Sequence, residues 1–464
     1  MPVGILGDLC GPKVRVGVFV DRQPIQLVQG KHIRVRSGDE PGSVTCLTTT
    51  TAAVVRQLEV GNTLLLDDGN FRLRMTERIG EDEIECLIEV GGLLKEKKGI
   101  NVPELRLALS AFTEKDRRDA QFILEQKLDF VALSFVQRAA DILELTSFID
   151  DFNRSKEERD RVHPEIIAKI EKPHALDDID EIIAAHPSVN IMVARGDLGV
   201  EASFERVPTA QKMLIAKANA AGRAVITATQ MLETMMNSPV PTRAEVSDVA
   251  NAVFDGTDAV MLSGETAAGK YPLETVRMMA SICLHAETQH TILARMVAEV
   301  DTSEGGFSFD DAIADASVAS ARKAEAVAII VLTVSGKMAV RVSKRKPTQL
   351  IIAMTQSWQV ANQLNLLWGV HPLILGKFSD TDGALLECER ALRAREWVRE
   401  NDTLVVCSGA NEFHTGLSNT LKLHSFGHAS RAMTARAHWK DALGVLQHKG
   451  RVHSPAIDSD PNHA

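Results

Sequence analysis

Residues 166–172 read I-I-A-K-I-E-K, and residues 192–197 read M-V-A-R-G-D. Each stretch begins as a short apolar run of strand length and ends in charged residues. Similar runs lie at Asp129–Ser134, Ala224–Ala228 and Asp258–Leu262, and helix-like segments separate them. Short buried strands that alternate with amphipathic helices predict a parallel α/β sheet.

A sixth strand-like run, Val3–Asp8, precedes the others. A closed (β/α)8 barrel needs eight strands. We therefore expect an N-terminally incomplete (β/α)8-type barrel in which the first two βα units are absent. Residues 1–13 and 104–300 are assigned to this barrel domain.

Residues 14–103 interrupt the barrel with a different pattern. Apolar and polar residues alternate there, as in Ile84–Val90, and glycines divide the runs at 69, 80 and 91. Alternation of this kind is typical of half-buried antiparallel strands. We expect a small inserted antiparallel β-domain.

A second α/β pattern follows a linker-like run at 301–306. Residues 308–426 are assigned to a C-terminal α/β domain, with strands near Val327–Leu332, Leu350–Met354, Pro372–Leu375 and Thr403–Cys407. Residues 427–464 are read as a flexible tail that carries five of the 14 histidines. The wide spacing of these histidines predicts no metal site.

Composition excludes several kinds of partner. The formal net charge is −10, from 52 basic and 62 acidic residues, without a long block of one sign, so neither nucleic acid nor membrane binding is expected. Six cysteines without a C-x-x-C pair indicate free thiols in a reducing compartment. Since no secretory leader or apolar run of about 18 residues is found, we expect a cytoplasmic protein.

Polar residues follow five of the predicted strands. Because the carboxyl ends of parallel barrel strands meet at one rim, these residues are expected to form the site. They are Asp8, Lys169, Glu171, Asp197, Thr229, Ser263 and Glu265.

Glu171 and Asp197 offer two carboxylates for Mg²⁺, which takes one or two such ligands together with substrate oxygens and water. Lys169 would lie on the same side of its strand as Glu171. Gly196 and Asp197 would offer backbone N–H groups to an anion at a helix start. The pattern favours a Mg²⁺-assisted reaction on an anion, although a lysine and a glutamate at a strand end also form plain surface ion pairs.

These residues lie in longer motifs that resemble the pyruvate kinase family, in its bacterial type, from about Gly4 to about Phe426. The motifs are K-K-G-I-N-V-P at 97–103, I-I-A-K-I-E-K at 166–172, M-V-A-R-G-D-L-G-V-E at 192–201, T-A-T-Q-M-L-E-T at 227–234, P-T-R-A-E-V-S-D-V-A-N-A-V at 241–253 and D-A-V-M-L-S-G-E-T-A-A-G-K-Y-P at 258–272.

The resemblance implies phosphoryl transfer from phosphoenolpyruvate to ADP, giving pyruvate and ATP in glycolysis. Lys169 would stabilise the phosphoryl group, while Glu171 and Asp197 would hold Mg²⁺. Backbone N–H groups of Gly196 and Asp197, with the Thr229 hydroxyl, would bind the substrate carboxylate.

The resemblance also implies a proton-delivery group and a nucleotide site. Thr229, Ser263 and Glu265 would help to protonate the enolate. The inserted β-domain, residues 14–103, resembles the family's β-barrel lid domain. Arg15 and Lys98 would meet the nucleotide phosphates, Lys98 from this lid. The plainer interpretations are helix N-caps for Thr229 and Ser263, and solvated surface charge for Arg15 and Lys98.

Two departures from the family pattern affect the cofactors. Family members carry an earlier N-F-S-H-G-type segment that supplies ligands for a monovalent cation, and this sequence contains none. Only Asp8 and the Leu9 carbonyl can be carried over as K⁺ ligands. Lys13 stands where K⁺-dependent members have glutamate, so K⁺ is expected not to be required.

A loop of the C-terminal domain resembles the family's effector loop. Thr333, Ser335, Gly336 and Lys337 suit a phosphate, but Met338 replaces a hydroxyl residue, which argues against control by fructose bisphosphate. A plain strand-to-helix turn is the alternative for this loop.

Two other functions remain open at this point. One is a Mg²⁺-dependent aldolase or lyase on the same barrel, and the other is a catalytically impaired regulatory or interaction subunit. The resemblance also suggests a homotetramer.

Overall fold

The computed structural model describes residues 2–103, 105, 110–288, 308–376, 381–408 and 419–427. Within them, six parallel strands form one sheet in chain order. With strands numbered along the chain, these are β1 (Leu6–Leu9), β10 (Phe130–Leu133), β11 (Glu165–Ile170), β12 (Val189–Ala194), β13 (Val225–Ala228) and β14 (Ala259–Val260). The predicted parallel α/β arrangement is confirmed.

Helices connect these strands, and sequence signals fix where several begin. Thr113 and Thr242 each accept a hydrogen bond from the third helical residue, whose carboxylate binds back to the threonine N–H. Between β11 and β12 the helical segment is divided at Asp178. The helices are Glu114–Glu125, Ala139–Asn153, Pro173–Asp177, Ile179–Ala184, Arg195–Ala202, Val207–Ala220, Arg243–Phe254, Gly264–Ala267 and Pro272–Glu287.

The segment inserted after β1 is built mainly of antiparallel strands around its own apolar core. Its main sheet has the order β4-β3-β7-β6-β5-β9, a β2–β8 pair lies beside it, and only the β3–β4 pair among these is parallel. One short helix, Ala52–Gln57, follows β4. The strands are β2 (Ile25–Leu27), β3 (His32–Ser37), β4 (Cys46–Thr49), β5 (Thr63–Leu66), β6 (Phe71–Arg78), β7 (Glu83–Val90), β8 (Gly92–Leu94) and β9 (Ile100–Asn101).

The third sheet has the order β17-β16-β15-β18-β19, and only its last pair is antiparallel. The strands are β15 (Ala328–Leu332), β16 (Leu350–Thr355), β17 (Val370–Ile374), β18 (Thr403–Ser408) and β19 (Thr420–Ser425). The helices beside them are Phe309–Lys323, Lys337–Lys344, Trp358–Leu364 and Thr381–Arg393.

Two details of this third sheet depart from the sequence prediction. Strand β19 was not predicted, and β17 begins before Pro372 instead of at it. A proline inside β17 is tolerated because β17 lies at the sheet edge. The predicted 301–306 linker and nearly all of the predicted tail, 428–464, lie outside the described residues, and the domain boundaries stay predictions.

A buried ionic cluster joins the parallel sheet to the C-terminal region. The Asp258 carboxylate, which has no exposed surface, pairs with Lys344 and, at 3.4 Å, with Lys346. It also accepts hydrogen bonds from the N–H groups of Val225 (2.9 Å) and Trp368 (3.3 Å). Burial acts to raise the pKa of Asp258, but the two lysines lower it overall, so the group is a carboxylate.

Asp258→Asn is expected to destabilise the chain by about 3–5 kcal/mol, because two lysines would remain buried without their counter-charge. The measurement is urea unfolding followed by tryptophan fluorescence, since Trp368 lies 4.9 Å from the Lys346 ammonium. Asp119→Asn is the control, because its pair with Lys115 is exposed and contributes about 0–1 kcal/mol. Equal losses in the two variants would contradict the prediction.

Candidate functional site

The carboxyl ends of β1, β10 and β11 place a lysine among three oxygen-bearing side chains. The Lys169 Nζ lies 3.2 Å from each Asp8 carboxylate oxygen, 2.8 Å from the Ser134 Oγ and 3.4 Å from the Glu171 Oε1. The structure thus brings together Asp8, Lys169 and Glu171, as the strand-end argument predicts. Ser134 was missed, although its place directly after β10 satisfies the same argument.

Glu171 is a carboxyl group whose protonation is set by burial. Its side chain is 2% exposed, and burial, reinforced by the charge of Asp197, raises the pKa of Glu171 to about 7. The Lys169 ammonium and the Phe135 N–H, which donates at 2.7 Å, oppose this rise. Burial acts to lower the pKa of Lys169, but Glu171 and Asp8 raise it overall, so the lysine is charged.

Glu171 and Asp197 fit a Mg²⁺ ion that takes its remaining ligands from substrate and water. The negative charge of Asp197 acts to raise the pKa of Glu171, so Glu171 lies within the electrostatic range of Asp197. Asp197 lies in the first turn of the helix Arg195–Ala202. Across the described ranges, no group of three or more His, Cys, Asp or Glu side chains is placed so that it could hold a metal ion.

Gly196 and Thr229, both predicted to bind the substrate carboxylate, bind each other. The Gly196 N–H donates to the Thr229 Oγ1 at 2.8 Å, and that hydroxyl donates to the Ala228 carbonyl at 2.7 Å. The two groups therefore lie side by side at the ends of β12 and β13. A substrate carboxylate that takes this N–H would have to replace the hydrogen bond to Thr229.

Arg195 is a buried residue that stabilises the loop after β13, and the sequence argument did not identify it. Its guanidinium donates to the carbonyl oxygens of Ala228 (3.2 Å) and Thr229 (2.8 Å) and pairs with Asp248 at 2.7 Å. Thr229 has a positive φ of 66°, which is unfavourable for a β-branched residue. Arg195 offsets this strain by binding the carbonyl groups around it.

Ser263 and Glu265 lie together at the end of β14. The fully buried Glu265 accepts hydrogen bonds from the N–H groups of Ser263 (2.8 Å) and Leu232 (3.2 Å), which ties it to the loop after β13. The Ser263 Oγ is buried without a hydrogen-bond partner and does not cap the following helix. A buried unpaired hydroxyl in native structure calls for a partner such as a ligand or water.

Arg15 and Lys98 make contacts within the lid. The Arg15 guanidinium donates to the Lys97 carbonyl at 3.0 Å, and the Lys98 Nζ pairs with Asp67 at 2.8 Å. Lys13 is exposed and lines a small cleft together with Asp197. Arg15 and Lys98 thus bind groups of the lid, whereas Lys13 shares a cleft with the proposed metal ligand Asp197.

The C-terminal loop forms a turn of its own. The Thr333 hydroxyl accepts a hydrogen bond from the Gly336 N–H at 2.8 Å, and Met338 is buried in the local core. Ser335, Gly336 and Lys337 line a cavity of about 510 Å³. Phosphate binding by this loop stays a prediction.

Comparison with models of known protein families identifies the family of this chain. The model of the pyruvate kinase barrel domain matches residues 1–276, and that of the pyruvate kinase alpha/beta domain matches residues 311–424. The chain belongs to the pyruvate kinase family. Both the family and the fold class expected from the sequence are confirmed.

Individual members of the pyruvate kinase family match along most of the chain. Pyruvate kinase of Geobacillus stearothermophilus is 40% identical over 91% of this chain and 70% of its own length. Pyruvate kinase of Clostridium acetobutylicum is 40% identical over 91% of this chain and 87% of its own length. A crystal structure of a pyruvate kinase from Cryptosporidium parvum superposes with a TM-score of 0.82 at 33% identity, over 92% of this chain and 84% of that one.

These relatives are named as pyruvate kinases, which favours an enzyme over the regulatory-subunit and aldolase-type alternatives. No helix within the described ranges is long and apolar enough to cross a membrane.

The pH dependence of stability is expected to report the burial of Glu171. A native pKa of about 7 lies above the usual 4.5, so the protonated group stabilises the fold fully below pH 4.5, and this contribution is lost as the pH rises through 7. Between these limits the free energy of unfolding of the metal-free chain should fall by about 3 kcal/mol more than that of Glu171→Gln.

The measurement is urea unfolding at a series of pH values between 4.5 and 8. Glu114→Gln, at a carboxyl group whose side chain is 94% exposed, is the control and should keep the pH dependence of the unmodified chain. An identical pH dependence in Glu171→Gln and the unmodified chain would show that Glu171 is not the titrating group.

Proposed function

We propose that this chain transfers the phosphoryl group of phosphoenolpyruvate to ADP, giving pyruvate and ATP in glycolysis. The observation that carries the proposal is the position of Lys169, whose ammonium lies between Asp8 and Glu171 at the strand ends, with Asp197 beside them. Phosphoryl transfer depends mainly on positioning and on stabilisation of negative charge. A charged lysine next to two carboxylates that fit Mg²⁺ provides both.

Each group at this rim has a separate task in the proposed reaction. Lys169 would stabilise the phosphoryl group in transfer, and its hydrogen bond to Ser134 and its pair with Asp8 orient the ammonium. Glu171 and Asp197 would hold Mg²⁺. When bound, this ion supplies Lewis-acid stabilisation of charge on the phosphoryl oxygens.

The second part of the reaction is protonation of the enolate. Gly196, Asp197 and Thr229 would bind the substrate carboxylate, and Thr229, Ser263 and Glu265 would help to deliver the proton. The unpaired hydroxyl of Ser263 supports this assignment, because it has a hydrogen-bonding capacity that the protein does not use. Glu265 would fix the loop through its bonds to two backbone N–H groups.

The nucleotide would bind between the barrel rim and the lid. Arg15 and Lys98 would meet the phosphates of ADP, and closure of the lid would exclude water from the reactive enolate. Members of the family generally use Mg²⁺ and K⁺. A homotetramer and a cytoplasmic location are further predictions from the resemblance.

Lys169→Met should abolish turnover, with a loss of at least about a thousandfold, because the main positive charge at the transfer site disappears. The assay measures pyruvate released by the purified chain with phosphoenolpyruvate, ADP and Mg²⁺. Lys115→Met, at an exposed position, is the matched control and should keep full activity. Absence of turnover in a folded, unmodified chain would instead favour the regulatory-subunit alternative.

Turnover is expected not to require K⁺, since Lys13 lines the same cleft as Asp197 and its ammonium would supply the positive charge of the ion. Asp8 and the Leu9 carbonyl are the remaining candidate K⁺ ligands, and Asp8 is occupied by Lys169. Lys13→Glu should make the activity depend on K⁺. We expect K⁺ to stimulate this variant at least about tenfold, because the ion would replace one lost charge contact. A strong K⁺ requirement of the unmodified chain would contradict this prediction.

A further inference from the structure

A buried cluster outside the reacting groups links three segments of the chain. The Glu201 Oε1 accepts hydrogen bonds from the Asn101 Nδ2 at 2.7 Å and from the Lys172 ammonium. The side chain of Glu201 is 1% exposed and that of Lys172 is 14% exposed. The second oxygen of Glu201 is buried without a partner. None of these three residues has a task in the proposed reaction.

Each member of the cluster lies next to an element that the reaction would use. Asn101 ends β9 in the lid sheet, where it pairs with Leu65 of β5 and follows the predicted nucleotide ligand Lys98. Lys172 directly follows Glu171. Glu201 lies one helical turn after Asp197, so both carboxylates lie on one side of the helix Arg195–Ala202.

A second contact brings the lid to the same helix. Gly69, in the turn between β5 and β6, has a φ of 86°, and a Cβ built there would lie 4.0 Å from the Val200 side chain. The lid therefore approaches this helix at Val200 and binds it through Glu201. The position of the lid and the position of the helix that carries Asp197 are thus linked.

We propose that Asn101, Lys172 and Glu201 form a tether that sets the position of the lid over the metal-binding carboxylates. The three are positioning residues, and the proposal rests on the proposed phosphoryl transfer. Lys172 neutralises the buried carboxylate and keeps Glu201 in place. The hydrogen bond from the Asn101 amide is the contact of the tether that can break, because its loss leaves the Lys172–Glu201 ion pair intact and leaves no charge unpaired.

The neutral character of the Asn101 link predicts a specific kinetic effect. Asn101→Leu removes the donor at nearly constant size and should loosen the lid while Lys172 and Glu201 remain paired. The KM for ADP should rise by about tenfold, the effect of losing one hydrogen bond to a charged group, with kcat changed less. Affinity for Mn²⁺, used in place of Mg²⁺ and measured by electron paramagnetic resonance, should stay within about twofold.

Changes at the helix end of the tether should act differently. Glu201→Gln leaves Lys172 buried without its counter-charge beside the helix of Asp197, and should lower Mn²⁺ affinity by about tenfold as well as raise the KM for ADP. Glu205→Gln, an exposed carboxyl group just beyond this helix, is the matched control. Gln26→Leu, at an exposed lid position, is the control for Asn101→Leu.

Local opening of the lid sheet beside the tether is measured by amide hydrogen exchange of β5 and β9 in the chain without ligands. Asn101→Leu should speed this exchange, and Gln26→Leu should not. Hydrogen exchange and Mn²⁺ binding can be measured without turnover. They therefore test the tether even if the unmodified chain releases no pyruvate and the proposed function is wrong. Unchanged exchange in Asn101→Leu, or faster exchange with an unaltered KM for ADP in an active chain, would overturn the proposal.

Discussion

The site depends on keeping a charged lysine and a buried carboxyl group in contact. Glu171 loses nearly all of its hydration, and its pKa of about 7 reflects that loss. Lys169 compensates for part of the loss, while Asp8 on another strand shares the ammonium. Because the partners come from β1 and the end of β11, the parallel register of the sheet determines the electrostatics of the site.

Much of this arrangement could be predicted from the sequence, because the strand ends of a parallel sheet converge whatever connects them. That argument identified Asp8, Lys169 and Glu171, and it would also have identified Ser134. It could not identify the partners of Arg195 or Glu201. Those contacts join segments far apart in the chain. From the sequence alone, a charged side chain is predicted to be exposed to solvent, because its burial is not known.

The elements that the sequence argument missed have local explanations. In β19, leucines at 421 and 423 alternate with polar residues, yet the buried side chain is that of His424, which binds Glu389 at 2.8 Å. A buried polar pair therefore overrides the apolar pattern in β19. Strand β14 is shorter than predicted, although the N–H groups of Asp258 and Met261 still donate to the Val225 and Thr227 carbonyls of the neighbouring strand.

Pro372 has a consequence for how this chain avoids wrong contacts. It lies inside β17, which pairs on one side with β16 and forms the edge of the C-terminal sheet in the described ranges. Exposed sheet edges recruit strands of other molecules and start aggregation, and a proline interrupts such an edge because it lacks one N–H donor. Pro372, which hid the start of β17 from the sequence argument, thus also removes one of the N–H donors that an added strand would need at this edge.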